Sequence, residues 1–226
     1  MRVPRTSRLV SVTFDGTTAR AAASGGGVLD AHGVRGTFYT APGTWGRTGG
    51  GAAMASADDV DALHRAGHEI GCHTFDGVAV DGLRPAELAR QVQLSAEAFR
   101  GGAADRRFSS FSYPAGAVTV AAKRQLARRF ASLRGATPGL NTGVADLALL
   151  RSVEIGDPTV GRTPEQWLDL AHAEGGWLVF HCRDVDGGSP GGGTTSEQLD
   201  RTVTRARDLG FEVLPVRHAI GRLQGT

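Results

Sequence analysis

The sequence has few features that would cross-link the chain or hold it in a membrane. Its 226 residues include only two cysteines, Cys72 and Cys182, and these cannot form a disulfide framework. The apolar run near the amino terminus, residues 9–14, is far too short to span a bilayer or to serve as the core of a signal peptide. We therefore expect a cytoplasmic protein with two free, buried thiols.

An excess of charge of one sign is also absent. The 25 basic and 23 acidic residues leave a formal net charge of +2, and Lys123 is the only lysine. A field strong enough to collect nucleic acid or an anionic membrane is not expected from this balance. The expected partner is a small-molecule substrate, and the composition does not constrain the oligomeric state.

Short β-branched or aromatic runs alternate with stretches of helical period along the whole chain. The predicted strands cover residues 9–14, 36–39, 69–73, 108–113, 132–134, 150–155, 177–181 and 212–215. The predicted helices cover residues 18–32, 57–66, 85–100, 119–130, 164–174 and 196–209. Repeated strand–helix units predict an α/β fold with a parallel sheet, and this many units in 226 residues predict one domain, residues 1–226, built as a closed or nearly closed barrel.

Glycine is abundant, and two glycine-rich segments follow strands. There are 33 glycines, about twice the usual frequency of about 7%. Residues 49–51 and 187–193 are predicted to be mobile loops on the face that carries active sites in βα barrels. Residues 25–27 instead lie inside the first helical pattern, where each glycine weakens a helix by about 1 kcal/mol.

Polar residues with catalytic chemistry stand at the ends of predicted strands. Asp15 ends the first strand, His73 the third and His181 the seventh, while the fourth ends in Tyr113-Pro114-Ala115-Gly116. Each alone would most simply be a partly buried polar residue. Together, an aspartate and two histidines at neighbouring strand ends can supply a general base, a metal ligand or orienting group, and a general acid.

These motifs resemble, in sequence order, those of the polysaccharide deacetylase family, also called carbohydrate esterase family 4 (CE4). Thr13-Phe14-Asp15-Gly16 is similar to the family's T-F-D-D-G. The segment from Gly67 to Thr74 is similar to G-H-E-I-G-x-H-T, Tyr113-Pro114-Ala115-Gly116 to R-x-P-Y-G, and Leu178-Val179-Phe180-His181 to L-x-H. The resemblance implies a distorted (β/α)7-type barrel.

The resemblance also implies chemistry, namely removal of N-acetyl groups from amino sugars with the help of a divalent ion, usually zinc. Carried over by position, Asp15 matches the catalytic base, His73 the first metal histidine and His181 the catalytic acid. The backbone N–H of Ala115 matches an oxyanion donor. The further candidates for substrate contacts are Tyr113, Trp45, Asp76 and Arg151.

Two of the family's three metal ligands are missing. The second aspartate of the first motif aligns with Gly16, and the second histidine of H-[ST]-x-x-H aligns with Gly77. A glycine donates no side chain, and zinc sites in proteins use three or four ligands. We therefore expect no metal cofactor. Zinc or another divalent ion would require substitute ligands, for which the sequence offers Asp76, Cys72, Cys182, Asp184 and Asp186.

The arginine of the third motif is also missing, because Ser112 stands in its place. Arg151 is the candidate to reach Asp15 instead. Adjacent residues of a strand face opposite sides, so Cys72 and Cys182 are expected to point away from the side that His73 and His181 share.

Three functions remain open. Asp15 and His181 are kept while metal-only positions are lost, which favours metal-independent acid–base chemistry on a small cytoplasmic metabolite. Such a reaction would be hydrolysis of a cyclic amide or lactone, or a proton transfer such as cyclisation, dehydration or isomerisation. The second function is a metal-dependent N-deacetylase with substitute ligands. The third is a non-catalytic sugar-binding protein, for which the aromatic rings of Trp45, Tyr39, Tyr113 and Trp177 would matter most. Core packing is the simpler interpretation of Trp177.

Overall fold

A computed structural model describes residues 1–49, 51–101, 106–156, 161–187 and 193–225. The strands in these ranges are β1 Arg2–Val3, β2 Arg8–Gly16, β3 Thr37–Thr40, β4 Thr48–Gly49, β5 Ala52–Ala53, β6 Glu69–Cys72, β7 Ser110–Ser112, β8 Ser132–Arg134, β9 Gly143–Val144, β10 Val153–Glu154, β11 Gly176–Cys182 and β12 Glu212–Val213. The α-helices are α1 Gly26–Ala31, α2 Ala57–Arg65, α3 Pro85–Arg100, α4 Val120–Leu126, α5 Pro164–Glu174, α6 Ser196–Asp208 and α7 Val216–Gln224. No helix in the described ranges is long and apolar enough to span a bilayer.

The main sheet is parallel and curls toward closure. Its strand order is β10-β11-β2-β3-β6-β7-β8, and β12 pairs with the first half of β2. The segment that leads into β10 also contacts β8, because Leu150 forms a parallel bridge with Arg134 and the Gly135 N–H donates to the Leu150 carbonyl. The two edges of the sheet therefore meet at this segment, and the predicted (β/α)7-type barrel is confirmed.

Side chains alternate between the barrel interior and the layer of helices. On β2, the apolar residues Val10, Val12 and Phe14 belong to the core between sheet and helices, while the alternate positions Thr13 and Asp15 face the interior. Cys72 and Cys182 lie fully buried in the same outer core, and burial raises the pKa of each thiol to about 12. The predicted orientation of both cysteines is confirmed.

The amino-terminal end of the barrel is closed by α7. Val216, Ala219 and Ile220 of this helix pack with the fully buried Trp177, whose indole N–H donates to Ser11 Oγ at 3.0 Å. Trp177 is thus a core residue.

Below the barrel interior, the buried Glu69 carboxylate accepts four hydrogen bonds. The donors are the hydroxyls of Thr37, Ser109 and Ser110 and the backbone N–H of Arg217, at 2.7–2.9 Å. Because Arg217 lies in the first turn of α7, this carboxylate also satisfies one of the helix's free N–H groups. Glu69 therefore fixes the helix against the barrel.

Helical segments near the two ends of the chain differ from the predictions. Helix α7 was not predicted. The sequence predictions placed a short strand at 212–215 and did not use the helical spacing of residues 216, 219, 220 and 223. The first helix begins with a π-helical turn, Ala21–Gly25, before α1. A Cβ at Gly25 would lie 2.7 Å from the Phe14 ring, so glycine here permits close packing of helix on sheet.

The glycine-rich segments were predicted to be mobile loops. Strands β4 and β5, on either side of the first segment, pair in antiparallel register, and Gly50 lies outside the described residues. Most of the second segment, residues 188–192, also lies outside them. The prediction for residues 187–193 therefore stands only as a prediction.

Candidate active site

Six polar side chains converge at the carboxyl end of the barrel. They sit at or next to the last residues of β2, β6, β7, β8, β10 and β11, all on positions that face the interior: Asp15, His73, Ser112, Arg134, Glu154 and His181. Parallel strands end at one edge, so interior positions near those ends meet in one place. The predicted residues Asp15, His73 and His181 are brought together by this geometry.

Asp15 is bound by an arginine from β8, a strand that lies across the barrel from β2. Arg134 Nη2 forms an ion pair with Asp15 Oδ1, and Ser112 Oγ donates to the same oxygen at 3.0 Å. Burial alone would raise the pKa of Asp15, but the charge of Arg134, with smaller contributions from His73 and His181, lowers it to about 2. The carboxylate is therefore ionised at neutral pH.

His73 has a tautomer fixed by its neighbour. Its Nδ1 lies 2.6 Å from Ser112 Oγ and 3.2 Å from the Ser112 carbonyl oxygen. Since the single hydroxyl proton of Ser112 is donated to Asp15, Ser112 Oγ can only accept from His73, which makes Nδ1 the protonated nitrogen. Burial lowers the pKa of His73, which favours the neutral ring with a lone pair on Nε2.

His181 is held by an equivalent arrangement. Ser152 Oγ donates to the Gly135 carbonyl at 2.6 Å and accepts from Arg134 Nη1 at 2.9 Å. Its contact of 3.0 Å to His181 Nδ1 must therefore also be accepted, so Nδ1 of His181 is the protonated nitrogen. In both histidines, Nδ1 is thus bound by a serine hydroxyl and Nε2 is the nitrogen left for other contacts.

The two Nε2 atoms have different electrostatic environments. Glu154 Oε2 lies 3.7 Å from His181 Nε2 and Arg183 binds the Glu154 carboxylate through two hydrogen bonds of 2.7 and 2.9 Å. Burial would raise the pKa of Glu154, but its interactions with His181 and Arg183 lower it. An anionic side chain therefore faces His181 Nε2.

A continuous chain of contacts joins these groups in the order His73, Ser112, Asp15, Arg134, Ser152, His181. Neither Nε2 atom hydrogen-bonds to a described residue, and neither is among the enclosed polar atoms that lack a partner, so both remain in contact with solvent. His73 and His181 are nevertheless only 7% and 4% exposed. The arrangement can move protons at two protected, solvent-reachable nitrogens.

The arginine that binds Asp15 is Arg134 and not Arg151. The latter donates to the Pro138 carbonyl at 3.1 Å and lies at the surface, so the prediction that Arg151 reaches Asp15 is wrong. Arg134 succeeds because it is an interior position of β8 and its side chain crosses the barrel, where it stacks over the Tyr39 ring at 5.5 Å. A lone arginine at the end of the predicted strand 132–134 was a signal that could have found it.

Tyr113 is not at the mouth of the barrel. It is 1% exposed in the outer core and its hydroxyl donates to the Ala148 carbonyl at 3.2 Å. The alternation along β7 explains this, because Ser112 faces the interior and the next residue must face outward. Its side chain is therefore not available for the substrate contact that was predicted.

The other predicted substrate contacts lie around the carboxyl edge. Ala115 is exposed in the loop that follows β7. Trp45 is half-buried, and its indole N–H donates to Thr40 Oγ1 at 2.6 Å. Asp76 is exposed, and its carboxylate accepts from Gln91 Nε2 at 2.7 Å. No described contact tests a role in substrate binding for any of these three.

Non-glycine residues with left-handed backbone mark this edge. Those in the described chain are Thr17, Thr74, Ala115 and Asp186, with φ of 42° to 60°. Each follows the carboxyl end of a site strand, β2, β6, β7 or β11 respectively. Such conformations cost about 1–3 kcal/mol and cluster at functional sites, which indicates that these loops hold a required shape.

The residues present do not fit the family's metal. No group of three or more His, Cys, Asp or Glu side chains in the described residues could hold an ion. Asp15 is engaged by the Arg134 cation, and Asp76 is held by Gln91.

The remaining substitute ligands are also committed elsewhere. Both cysteines lie in the outer core. Asp184 accepts from Thr18 Oγ1 at 2.5 Å, and Asp186 accepts from the Ser196 N–H at the start of α6.

The fold and the site define a (β/α)7 barrel of the deacetylase type, and the comparisons agree. The sequence model of the polysaccharide deacetylase family matches residues 2–131, more than half of the chain. This protein therefore belongs to the polysaccharide deacetylase family. The search of curated proteins found no match.

Solved structures show the same fold at low identity. The Xyl-CE4 domain of a multidomain xylanase from the hindgut metagenome of Trinervitermes trinervoides is 14% identical with a TM-score of 0.66, covering 98% of this chain and 93% of that one. A family 4 acetyl xylan esterase from Clostridium thermocellum, in complex with a cobalt ion, is 17% identical with a TM-score of 0.65, covering 96% and 92%. A CE4 family pseudoenzyme from Bacillus anthracis is 14% identical with a TM-score of 0.63, covering 96% and 67%.

Proposed function

We propose that this protein is a metal-independent acid–base enzyme that acts on a small substrate through His73 and His181. The observation that carries the proposal is the chain of hydrogen bonds that makes Nδ1 the protonated nitrogen of both rings and leaves both Nε2 atoms accessible. In a barrel that had lost its catalytic function, selection would not keep both histidines in this orientation.

His73 is the proton acceptor in this proposal. Its ring is neutral because burial lowers its pKa, and Nε2 carries the lone pair. Asp15 matches the base of the family, but a carboxylate whose pKa is about 2 is a weak base at neutral pH. We assign Asp15 to holding the Ser112 hydroxyl, and through it the His73 ring, in place.

His181 is the proton donor. The Glu154 carboxylate lies 3.7 Å from Nε2, and Ser152 fixes the ring orientation. The two histidines thus differ in their environments, since burial lowers the pKa of His73 and the Glu154 carboxylate faces Nε2 of His181. We base the assignment of base and acid on this difference in surroundings.

The substrate class follows from this chemistry. A simple acetamide is too unreactive for acid–base groups without a Lewis acid, whereas a strained or activated ring is not. We propose hydrolysis of a cyclic amide, imide or lactone. His73 takes a proton from water as the water oxygen bonds to the ring carbonyl carbon. The bond from that carbon to the ring heteroatom then breaks, and His181 protonates the heteroatom as it leaves. Proton exchange with solvent returns both histidines to their starting states. The backbone N–H of Ala115 is the proposed donor to the carbonyl oxygen.

The experiment is a turnover screen of cyclic imides, ureides and lactones, with and without a strong chelator. Activity should survive chelation, and His73→Gln and His181→Gln should each lower kcat/KM by about 10²–10⁴-fold. His172→Gln is the matched control, because His172 is exposed and contacts Arg8 rather than the site. Loss of activity on chelation with recovery on adding zinc, or full activity in either site variant, would contradict the proposal.

A second measurement does not depend on finding the substrate. Long-range ¹H–¹⁵N NMR spectra distinguish the two imidazole tautomers. We expect neutral His73 as the Nδ1–H form, and Ser112→Ala should release it to a mixture. An Nε2–H tautomer for His73 in the wild-type protein would remove the observation on which the proposal rests.

A non-catalytic role is the second candidate function. It is supported by the loss of ligands at Gly16 and Gly77 and by the likeness to a CE4 family pseudoenzyme from Bacillus anthracis. In that case Trp45, half-buried beside the mouth, would stack on a sugar ring. Saturable binding of chito-oligosaccharides that Trp45→Ala abolishes, in a protein inactive on every ring substrate, would favour this role.

A further inference from the structure

An unpaired group of arginines lies on the face built by the end of α3, residues 106–108 and α4. Its members are Arg100, Arg107, Arg124, Arg128 and Arg129, all exposed. None forms an ion pair or a side-chain hydrogen bond with a residue in the described ranges. The whole chain carries a formal charge of only +2, so positive charge is concentrated on this face.

Three of these arginines surround a cavity with an apolar floor. The cavity has a volume of about 300 Å³, and Arg100, Arg107 and Arg129 stand at its rim. Its floor consists of the side chains Val92, Ala96, Phe108 and Phe130, which connect it to the outer core. An opening that is apolar below and cationic above is suited to a molecule with one apolar and one anionic end.

The neighbouring basic residues do not compete for such a ligand. Arg106 also lines the cavity, but it is bound to Asp61 at 2.5 Å and lies over the Phe99 ring. Lys123 is paired with Asp146. Asp61 and Asp146 are thus already paired, and Glu97, one turn before Arg100, accepts from Gln93 Nε2 at 2.9 Å. The three rim guanidiniums repel one another in the absence of an anion.

The geometry points to a second binding site here, for an anionic amphiphile that consists of a phosphate or carboxylate on an apolar chain. At about 30 Å³ per water-sized group, the cavity holds about ten such groups, which corresponds to a chain of about eight carbons and part of the head group. Arginine binds phosphate and carboxylate through paired N–H donors, so two or three guanidiniums can hold one head group. This site is independent of the acid–base site at the carboxyl edge.

The test is isothermal titration calorimetry with octyl phosphate, at concentrations where octyl phosphate is monomeric. We expect saturable 1:1 binding that is at least tenfold tighter than that of octanol or of inorganic phosphate, and that weakens with added salt. The double variant R107Q/R129Q should weaken binding at least tenfold. Ala96→Leu, which fills the floor, should weaken octyl phosphate binding while leaving the arginines in place.

A charge-matched control separates this site from general cationic attraction. Arg65 and Arg217 are exposed and line neither this cavity nor the mouth, so R65Q/R217Q should bind octyl phosphate as the wild type does. Equal affinity for octanol, equal affinity for inorganic phosphate, or equal loss in both double variants would overturn the proposal. Binding only to vesicles with anionic lipid, without binding of monomeric octyl phosphate, would also overturn it. Circular dichroism melting confirms that each variant is folded.

Discussion

Arg134 on β8 forms an ion pair with Asp15 on β2, although β3, β6 and β7 lie between these strands in the sheet. The contact is made across the interior of the barrel, where Arg134 is 1% exposed. The same guanidinium donates to Ser152 Oγ at 2.9 Å and thereby links the Asp15 side of the site to the His181 side. One buried cation organises both halves of the candidate active site.

Replacing this cation should be costly. Arg134→Met leaves the Asp15 carboxylate buried without its partner, and removing one member of a buried pair typically costs 3–5 kcal/mol. We expect the free energy of unfolding to fall by about 3 kcal/mol in urea titrations. Arg151→Met is the control, because Arg151 is exposed and bonded only to a carbonyl, and it should change stability by less than about 0.5 kcal/mol. Similar losses in the two variants would contradict the role assigned to Arg134.

Stability should fall as the pH falls below neutral. Burial lowers the pKa of His68 and of His73 below their usual value of 6.5, so the unfolded chain takes up protons first as the pH drops. Arg134 holds the pKa of Asp15 near 2 against an unfolded value of 3.8. In each case the unfolded state binds more protons, so stability rises with pH. The histidine contribution is lost below about pH 6.5, and that of Asp15 between about pH 4 and 2.

Urea titrations from pH 8 to pH 3 at constant ionic strength measure this dependence. His73→Asn should flatten the curve near pH 6, whereas His218→Gln, at an exposed position, should leave it unchanged. A curve that is level between pH 8 and pH 5 would show that neither buried histidine resists protonation.

Restoring the two missing side chains should restore a metal site. Gly16 and Gly77 align with the family's second aspartate and second histidine, and an added Cβ would meet no atom closer than 3.8 Å and 3.6 Å respectively. Both residues have φ near 70°, so each substitution costs about 1 kcal/mol of stability. We expect Gly16→Asp/Gly77→His to bind about one zinc per chain, measured by elemental mass spectrometry after dialysis.

The control is Gly16→Asn/Gly77→Gln, which carries comparable backbone strain without a carboxylate or an imidazole. It should hold less than a tenth of the zinc of the restored variant. Equal zinc in both variants would mean that the ion binds elsewhere, and no zinc in either would contradict the alignment of these positions with the family's ligands.

The left-handed residue Ala115 offers a test of strain at the site. Its φ is 55° and its side chain is exposed. Ala115→Gly removes the left-handed penalty of about 1–2 kcal/mol but gives the unfolded chain more freedom. We expect a net gain of about 0.5 kcal/mol in unfolding free energy and, for ring substrates, a lower kcat because the loop loses its fixed shape.

Ala117→Gly serves as the comparison, since Ala117 has an ordinary φ of −70°. It should lower stability, because it has no left-handed penalty to relieve. Destabilisation by both substitutions to the same extent would show that the backbone at Ala115 is not strained.

The order of strands and helices was predictable because each is encoded locally. Helix α3, Pro85–Arg100, and helix α5, Pro164–Glu174, begin with proline, which is favoured in the first turn, and were predicted with their observed bounds. Strand β8 was also predicted with its observed bounds. Helix α7 was not predicted although its apolar residues have helical spacing, and only the structure shows that they pack on Trp177 at the end of the barrel.

The sequence by itself determined the family, the fold and the three residues Asp15, His73 and His181, because these depend on short motifs and on the alternation of strands. It also determined the absence of two metal ligands, since a glycine has no side chain in any fold. Only the tertiary structure decided that Arg134 rather than Arg151 pairs with Asp15, and that Ser112 and Ser152 set the tautomers of both histidines. Those contacts join residues 29 to 119 positions apart, and such pairings are set by the closure of the barrel and not by local sequence.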